Sequence, residues 1–218
     1  MHGPEFIRAN TKLLPVPLAP EICLHLAEES LPIWRKTEEE LGLINVPPPY
    51  WAFAWAGGQA LARYILDNSV AVAGAHVLDL GSGSGLTAIA AMRAGARRVL
   101  AADIDALALA AIDLNAAANS VAVEATREDL LAAMPNDVGR GFDVVLVGDL
   151  FYERTLADRV LVYIESARAN GADILVGDPR RGYFPKERFR QVMEYAVPVT
   201  RELEDAEIKR AAVWRLAA

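Results

Sequence analysis

From Gly57 onward, short apolar runs alternate with segments of helical texture, and this alternation constrains the fold more than any other feature of the chain. "HVLDL", "RRVLAAD", "VAVEAT", "FDVVLVG" and "ADILVGD" read as strands. "GGQALARYILDN" precedes the first of them as a helix. "SGLTAIAAMRAG", "DALALAAIDLNAAAN", the short "EDLLAAM" and the long "ERTLADRVLVYIESARANG" follow as further helices. Such alternation implies right-handed βαβ units and a mostly parallel sheet. The tail reads as a helix, "PKERFRQVMEYA", then two strands, "VTRELE" and "IKRAAVWRL", closing as a hairpin. The fold class is α/β, a doubly wound Rossmann-like sheet.

Residues 1–56 have a different texture, rich in proline and aromatics, and are expected to form an N-terminal cap on one compact domain at 57–218. Pro15, Pro17 and Pro20 predict an extended entry. "PEICLHLAEESLPIWRKTEEELG" predicts a helix interrupted near Pro32. "NVPPPYWAFAW" cannot be helical, and its "PPPY" (Pro47 to Tyr50) reads as a rigid spacer. "RKTEEE" (Arg35 to Glu40) reads as a solvated helix face. For Trp51 and Phe53, core packing and a site role weigh evenly.

Composition narrows the function classes. Net charge is −7, which argues against a polyanion binder, since phosphate contacts need a clustered Lys/Arg face. Cys23 is the one cysteine, so an intrachain disulfide and a cysteine-built zinc site are excluded. His2, His25 and His76 show no metal spacing, and no metal is expected. No apolar run is long enough to span a membrane, and the N-terminus lacks a signal-peptide pattern. A cytoplasmic monomer is expected.

After the first strand comes "DLGSGSG", Asp79 to Gly85. Glycines 81, 83 and 85 let the backbone turn sharply and approach a ligand. A dinucleotide fingerprint would need a third glycine at position 86, which is Leu86. Asp79 would repel a pyrophosphate but suit a ligand carrying an ammonium and a sulfonium. The loop therefore favours S-adenosylmethionine over NAD. Asp103 ends the second strand, 22 residues after Gly81, where a carboxylate accepts from ribose hydroxyls. Asp129, after the third strand, suits an adenine amino group. A glycine-rich turn with incidental solvent-facing acids is the bland alternative, and three acids at three strand ends weigh against it.

This combination resembles the seven-stranded S-adenosylmethionine-dependent methyltransferases over residues 57–218. The resemblance implies strand order 3-2-1-4-5-7-6. The fourth strand runs into "GDLFYE" (Gly148 to Glu153). It lacks the Asn/Asp-Pro-Pro-Tyr/Phe of nucleobase methyltransferases. "DLFY" matches the D-x-x-Y/F motif of a group of protein-lysine methyltransferases. With "PPPYWAFAWAGGQALARYI", "LDLGSGSGLTAIAA", "ADID", "LNAAAN" and "VGDPRRGYFP", the chain is similar to the electron transfer flavoprotein β-subunit lysine methyltransferases. Ala106 departs from the proline often found after "DID".

The resemblance implies S-adenosyl-L-methionine bound by Trp55, Asp79, Gly81, Ser82, Gly83, Gly85, Asp103, Ile104, Asp129 and Leu130. It implies catalysis by Asp149 and Tyr152. Substrate contacts are expected from Asp149, Phe151, Tyr152, Glu153, Arg180 and Arg181, with the two arginines docking an acidic part of the substrate protein. For Glu153 the alternative is the first turn of the next helix, and for Arg180 and Arg181 a solvated loop. The expected substrate is a protein, electron transfer flavoprotein β-subunit or alternatively a ribosomal protein. A small-molecule methyltransferase and a non-catalytic module that kept the cofactor pocket are the other readings. Lysine must attack as a neutral amine, yet with a pKa near 10.4 only about one in 10³ is neutral at pH 7.4. Asp149 is expected to orient that amine, with the proton leaving to water; Tyr152 would wall the channel.

Overall fold

Seven strands form the central sheet of the computed structural model, which describes residues 3–28, 32–33, 35–37, 48–132 and 141–217. Two strands precede it in the chain, β1 (Lys12–Val16) and β2 (Ala19–Leu26), paired antiparallel as a separate hairpin. The main sheet comprises β3 (His76–Leu80), β4 (Arg98–Ala102), β5 (Glu124–Thr126), β6 (Val144–Gly148), β7 (Asp173–Asp178), β8 (Phe189–Pro198) and β9 (Ile208–Leu216). Their order is β5-β4-β3-β6-β7-β9-β8, parallel except for β9, which runs antiparallel to both neighbours. Numbered from β3 as the first strand, this is the order 3-2-1-4-5-7-6.

Strands covered on both faces need apolar residues at successive positions. β3 is buried throughout, and its Val77 and Leu78 feed cores on opposite faces of the sheet. Ile174, Leu175 and Val176 of β7 alternate the same way. The helices covering these faces are α2 (Ala56–Asp67), α3 (Leu86–Arg93), α4 (Ala106–Ala118) and α5 (Arg154–Ala169); α1 (Gly3–Asn10) precedes β1. A short helix, α6 (Arg201–Glu204), joins β8 to β9. Helix α2 begins at Ala56, one residue before the expected domain boundary.

The structure corrects four sequence expectations. Residues 19–26 are strand rather than helix. Their burial alternates, with Ile22, Leu24 and Leu26 inward, and pairing with β1 supplies the backbone bonds. Residues 32–33 and 35–37 are helical as expected, but Thr37 is buried, and residues 38–40 of the expected solvated face lie outside the described residues. Residues 189–198 are the edge strand β8, not a helix, because β9 pairs with them along their length. "VTRELE" contains the helical turn α6 instead of a strand, and this change delivers Glu204 to the site. Pro47 of the "PPPY" spacer lies outside the described residues; Tyr50–Ala52 is a 3-10 turn.

Candidate active site

The carboxyl ends of β3, β4, β6 and β7 present four aspartates, Asp79, Asp103, Asp149 and Asp178, at one edge of the sheet. In doubly wound sheets this edge is the ligand side. Gly81, Gly83 and Gly85 all have positive φ, between 53° and 82°, a conformation that L side chains rarely adopt. A Cβ on Gly81 would also lie 2.7 Å from the end of the Leu150 side chain, which would have to shift to admit it. Asp79 is 1% exposed, and its carboxylate is spent inside the loop. It accepts from the hydroxyls of Ser82 and Thr87 and from the Ala88 amide at the start of α3. Burial raises its pKa, with these donors opposing.

Asp103 is half-buried. Its two oxygens accept from the Gly83 and Asp105 amides at 2.8 and 3.0 Å, tying the end of β4 to the glycine loop. Ile104 beside it is 65% exposed, a large apolar side chain left open just after β4. Asp129 caps the turn at Leu130–Ala132 through the Leu131 amide and pairs with Arg159 at 2.7 Å, both side chains being well exposed. The expected cofactor residues of the three strand ends therefore share one face, with Asp129 already engaged by a cation.

Asp149 carries the most constrained geometry. Its φ of 59° is left-handed, and for a non-glycine residue such strain is held in place by its surroundings. Its backbone N–H donates to Gly177 O at 3.0 Å. Its Oδ2 accepts from the Gly58 amide at 2.7 Å, so the carboxylate sits on the first turn of α2, the favourable end for an anion. Its Oδ1 accepts from Arg181 Nε and Nη2 at 2.9 and 2.6 Å. Burial raises the Asp149 pKa; the Arg181 charge and the Gly58 amide oppose that rise.

This approach of α2 to the sheet depends on glycines whose role was not legible in the sequence. A Cβ on Gly57 would lie 2.2 Å from Gly177 O, and one on Gly177 would lie 2.1 Å from Gly57 O. The two backbones are in contact, and the pair of glycines opening "GGQALARYI" was the available signal.

Several expected substrate contacts have other duties. Phe151 is fully buried among Phe184 and Phe189, inside the core, so it cannot meet a substrate. Glu153 is the N-cap of α5; both its oxygens accept, from the Thr155 and Leu156 amides at 2.8 Å, and these bonds lower its pKa. Arg181 is not a free docking group. It bridges Asp149 and Glu204, whose Oε1 lies 2.8 Å away, with its guanidinium 5.5 Å from the Trp55 ring. Arg180 is exposed, with φ of 65°, and pairs with Glu194 at 3.7 Å. Glu204 was missed, because nothing local in "VTRELE" brings it to residue 181.

An aromatic rim borders the site. Tyr152 is 43% exposed and its ring centroid lies 5.3 Å from that of Tyr50. Tyr50 also packs edge-on against Trp55, whose indole N–H donates to Tyr50 O at 3.0 Å. Burial, then the neighbouring Tyr50, pushes the Tyr152 phenol up to about 12, so it stays neutral. Trp51 and Phe53 are core residues.

The strand order, the glycine loop and the acid after β6 define a methyltransferase of the seven-stranded Rossmann-like class. Among solved structures, a ribosomal protein L11 methylase from Lactobacillus delbrueckii subsp. bulgaricus has this fold, with a TM-score of 0.51 and 22% identity, covering 76% of this chain and 81% of that one. A magnesium protoporphyrin IX methyltransferase from Synechocystis PCC 6803 with bound SAM gives a TM-score of 0.52 at 15% identity, covering 73% of this chain and 78% of that one. The family model for ribosomal protein L11 methyltransferase (PrmA) matches residues 60–149. The electron transfer flavoprotein beta subunit lysine methyltransferase of Mus musculus is 39% identical over 90% of this chain and 77% of its own length. The protein of that name from Danio rerio is 37% identical over 96% of this chain and 81% of its own length. The chain belongs to this lysine methyltransferase family and is a protein-lysine N-methyltransferase.

Proposed function

We propose that the chain methylates a lysine of electron transfer flavoprotein β-subunit, with S-adenosylmethionine as donor and Asp149 as the group that receives the lysine amine. The residues present suit that donor. The glycine loop leaves open space, since a Cβ on Gly83 would meet only Trp51 Cα at 3.8 Å. Asp103 supplies an acceptor at the end of β4 for ribose hydroxyls, exposed Ile104 an apolar surface for the base, and half-buried Leu130, after β5, a second apolar side chain. Asp79 serves the donor indirectly, by fixing the loop. When bound, S-adenosylmethionine supplies a methyl carbon whose bond to sulfur breaks as the carbon–nitrogen bond forms.

One observation carries the acceptor side. A carboxylate has about four lone-pair positions. Gly58 and Arg181 fill three at Asp149, two on Oδ1 and one on Oδ2. The remaining position, on Oδ2, receives one N–H of the incoming amine and turns its lone pair away from the carboxylate. Tyr152 and Tyr50 line the approach, and their ring faces suit a methylated ammonium. The lysine's extra proton leaves to water before attack. Residues 1–56 act as a cap on the domain at 57–218.

The match to ribosomal protein L11 methyltransferase ends at residue 149. It spans the glycine loop, Asp103 and Asp149 itself and stops before Tyr152, Arg181 and Glu204, so it covers the donor side but only the first residue of the acceptor side. The test is transfer of labelled methyl from S-adenosylmethionine to electron transfer flavoprotein or to ribosomal protein L11, with the modified residue read by mass spectrometry. Methyl-lysine on the flavoprotein β-subunit is expected; label on the ribosomal protein alone overturns the substrate. Asp149→Asn should lower kcat at least 100-fold and leave the donor Kd within about threefold. Arg181 keeps Glu204 as its partner in that variant. Asp103→Ala should weaken donor binding by about 10- to 100-fold, as loss of charged hydrogen bonds does.

A further inference from the structure

Arg181 occupies one oxygen of the Asp149 carboxylate, Oδ1, and leaves the other to the Gly58 amide and the substrate amine. Its guanidinium meets Asp149 through two N–H groups, meets Glu204 through Nη2, and lies near the face of Trp55. Its side chain is 17% exposed, and the site's own carboxylates hold it from both sides. We infer that Arg181 is a positioning residue for methyl transfer: it cancels the charge of the acceptor carboxylate, so that a lysine hydrogen-bonds there as a neutral amine. This inference rests on Asp149 as the acceptor.

Two demands on the acceptor group conflict. An acceptor for an amine N–H is best as a carboxylate, but a bare carboxylate stabilises the ammonium form of its partner and so opposes the attack. A cation already bound to the same carboxylate removes the conflict. The oxygen keeps its lone pair for the amine, while the net field on the amine falls. Arginine suits this duty because it stays charged and its planar fork spans Nε and Nη2. Lysine in its place would be a point charge and, if displaced, would compete as a methyl acceptor.

The surroundings are balanced around this pair. From α2, Asp149 meets the Gly58 amide. From the end of β7 it faces Asp178, and from α6 Glu204 acts on it through space. Lys209 on β9 lies 3.7 Å from Glu204 and offsets it. Below about pH 7, with Asp178 protonated, two carboxylates stand against two cations; above it Asp178 adds a third carboxylate. Without Arg181, one proton is retained within the amine and carboxylate pair, on one partner or the other. Either placement stops the reaction, and both put the acid limb of the rate profile at higher pH.

The experiment is the pH dependence of kcat from pH 6.5 to 9.5 for wild type, Arg181→Met, Arg181→Lys and Glu204→Gln. It uses electron transfer flavoprotein β-subunit and saturating labelled S-adenosylmethionine. In Arg181→Met the acid limb should rise by at least about one pH unit, seen as a tenfold or greater deficit at pH 7 that closes toward pH 9.5. Arg181→Lys should shift it less. Glu204→Gln should shift it the other way, since Arg181 then serves Asp149 alone. An Arg181→Met profile that overlays wild type after scaling overturns the inference, as does a Glu204→Gln shift in the same direction as Arg181→Met. Should Arg181→Met not fold, the opposed signs of Arg181→Lys and Glu204→Gln decide the matter. Full turnover in Asp149→Asn would instead overturn the acceptor assignment itself. Repeating the series in Asp178→Asn separates the titration of that neighbour, and the Arg181-dependent shift should persist there.

Discussion

A single methyl group separates the two glycines that open α2. On Gly57 it would press into Gly177 O at 2.2 Å and into Asp149 Oδ2 at 2.7 Å; on Gly58 its nearest neighbours lie 3.8 Å away. Gly57→Ala should therefore destabilise the protein by about 1–3 kcal/mol, as overpacking does. It should also lower kcat beyond any stability loss, because the helix amide that holds Asp149 moves with the backbone. Gly58→Ala meets only ordinary contacts and replaces a helical glycine. Its stability should be unchanged or raised by about 0.5–1 kcal/mol. Thermal unfolding and steady-state kinetics on the two variants check this, and equal effects would show that α2 is free to lift from the sheet. The sequence made the position of Asp149 legible, since an acid after a buried strand is a local feature. It hid the partners. Gly58, the Gly177 and Arg181 of "VGDPRRGYFP", and Glu204 come from three separate stretches of chain, and no spacing rule joins those stretches to Asp149.

At the level of elements, the parallel strands were legible because each is a short apolar run punctuated by its own helix. Two of the errors fell on β2 and β8. Both are antiparallel strands whose identity rests on a partner elsewhere in the chain, and both have sequences that tolerate a helix. The hairpin of β1 and β2 is joined to the glycine loop through α4. Asn115, fully buried, accepts from the His25 amide at 2.7 Å and donates to Ser84 O at 2.8 Å. Asn119, one turn on, accepts from Cys23 N at 3.0 Å and donates to Cys23 O at 2.6 Å, pairing with the strand as another backbone would. "LNAAAN" thus spaces two amides along one helix face, both directed at β2. Asn115→Ala strands a buried amide and a loop carbonyl, at about 1–3 kcal/mol each. It should lower stability and weaken S-adenosylmethionine binding together. Asn119→Ala should lower stability alone, since it does not touch the loop. Calorimetric Kd values for the two variants decide whether the N-terminal hairpin supports the donor site or only covers α4.

For the molecule as a whole, the consequence of this site lies in its pH stability. Asp178 is fully buried; its Oδ1 accepts from the Arg181 amide at 2.7 Å, and its Oδ2 has no hydrogen-bond partner among the described residues. Burial, and then the charge of Asp149, push its pKa from the ordinary 3.8 up to about 7. Between those values the folded chain holds a proton that the unfolded chain has released. This contribution is therefore present at low pH, declines as pH rises through about 7, and is lost above. From pH 6 to pH 8 one such group removes about 1.4 kcal/mol, which for a chain of this length is roughly 3–6 °C in Tm. Asp79, Asp103 and Asp149 are raised by burial and act in the same direction. The net charge of −7 adds self-repulsion that also grows as pH rises, so the wild-type slope alone does not isolate Asp178. Asp178→Asn does, because it removes the titration and keeps the shape. The variant's Tm should fall less than the wild type's between pH 6 and 8, by about those few degrees, and should exceed the wild type's at pH 8. Parallel curves would mean that Asp178 is ionised across the whole range, with the charge held there by its neighbours in the site.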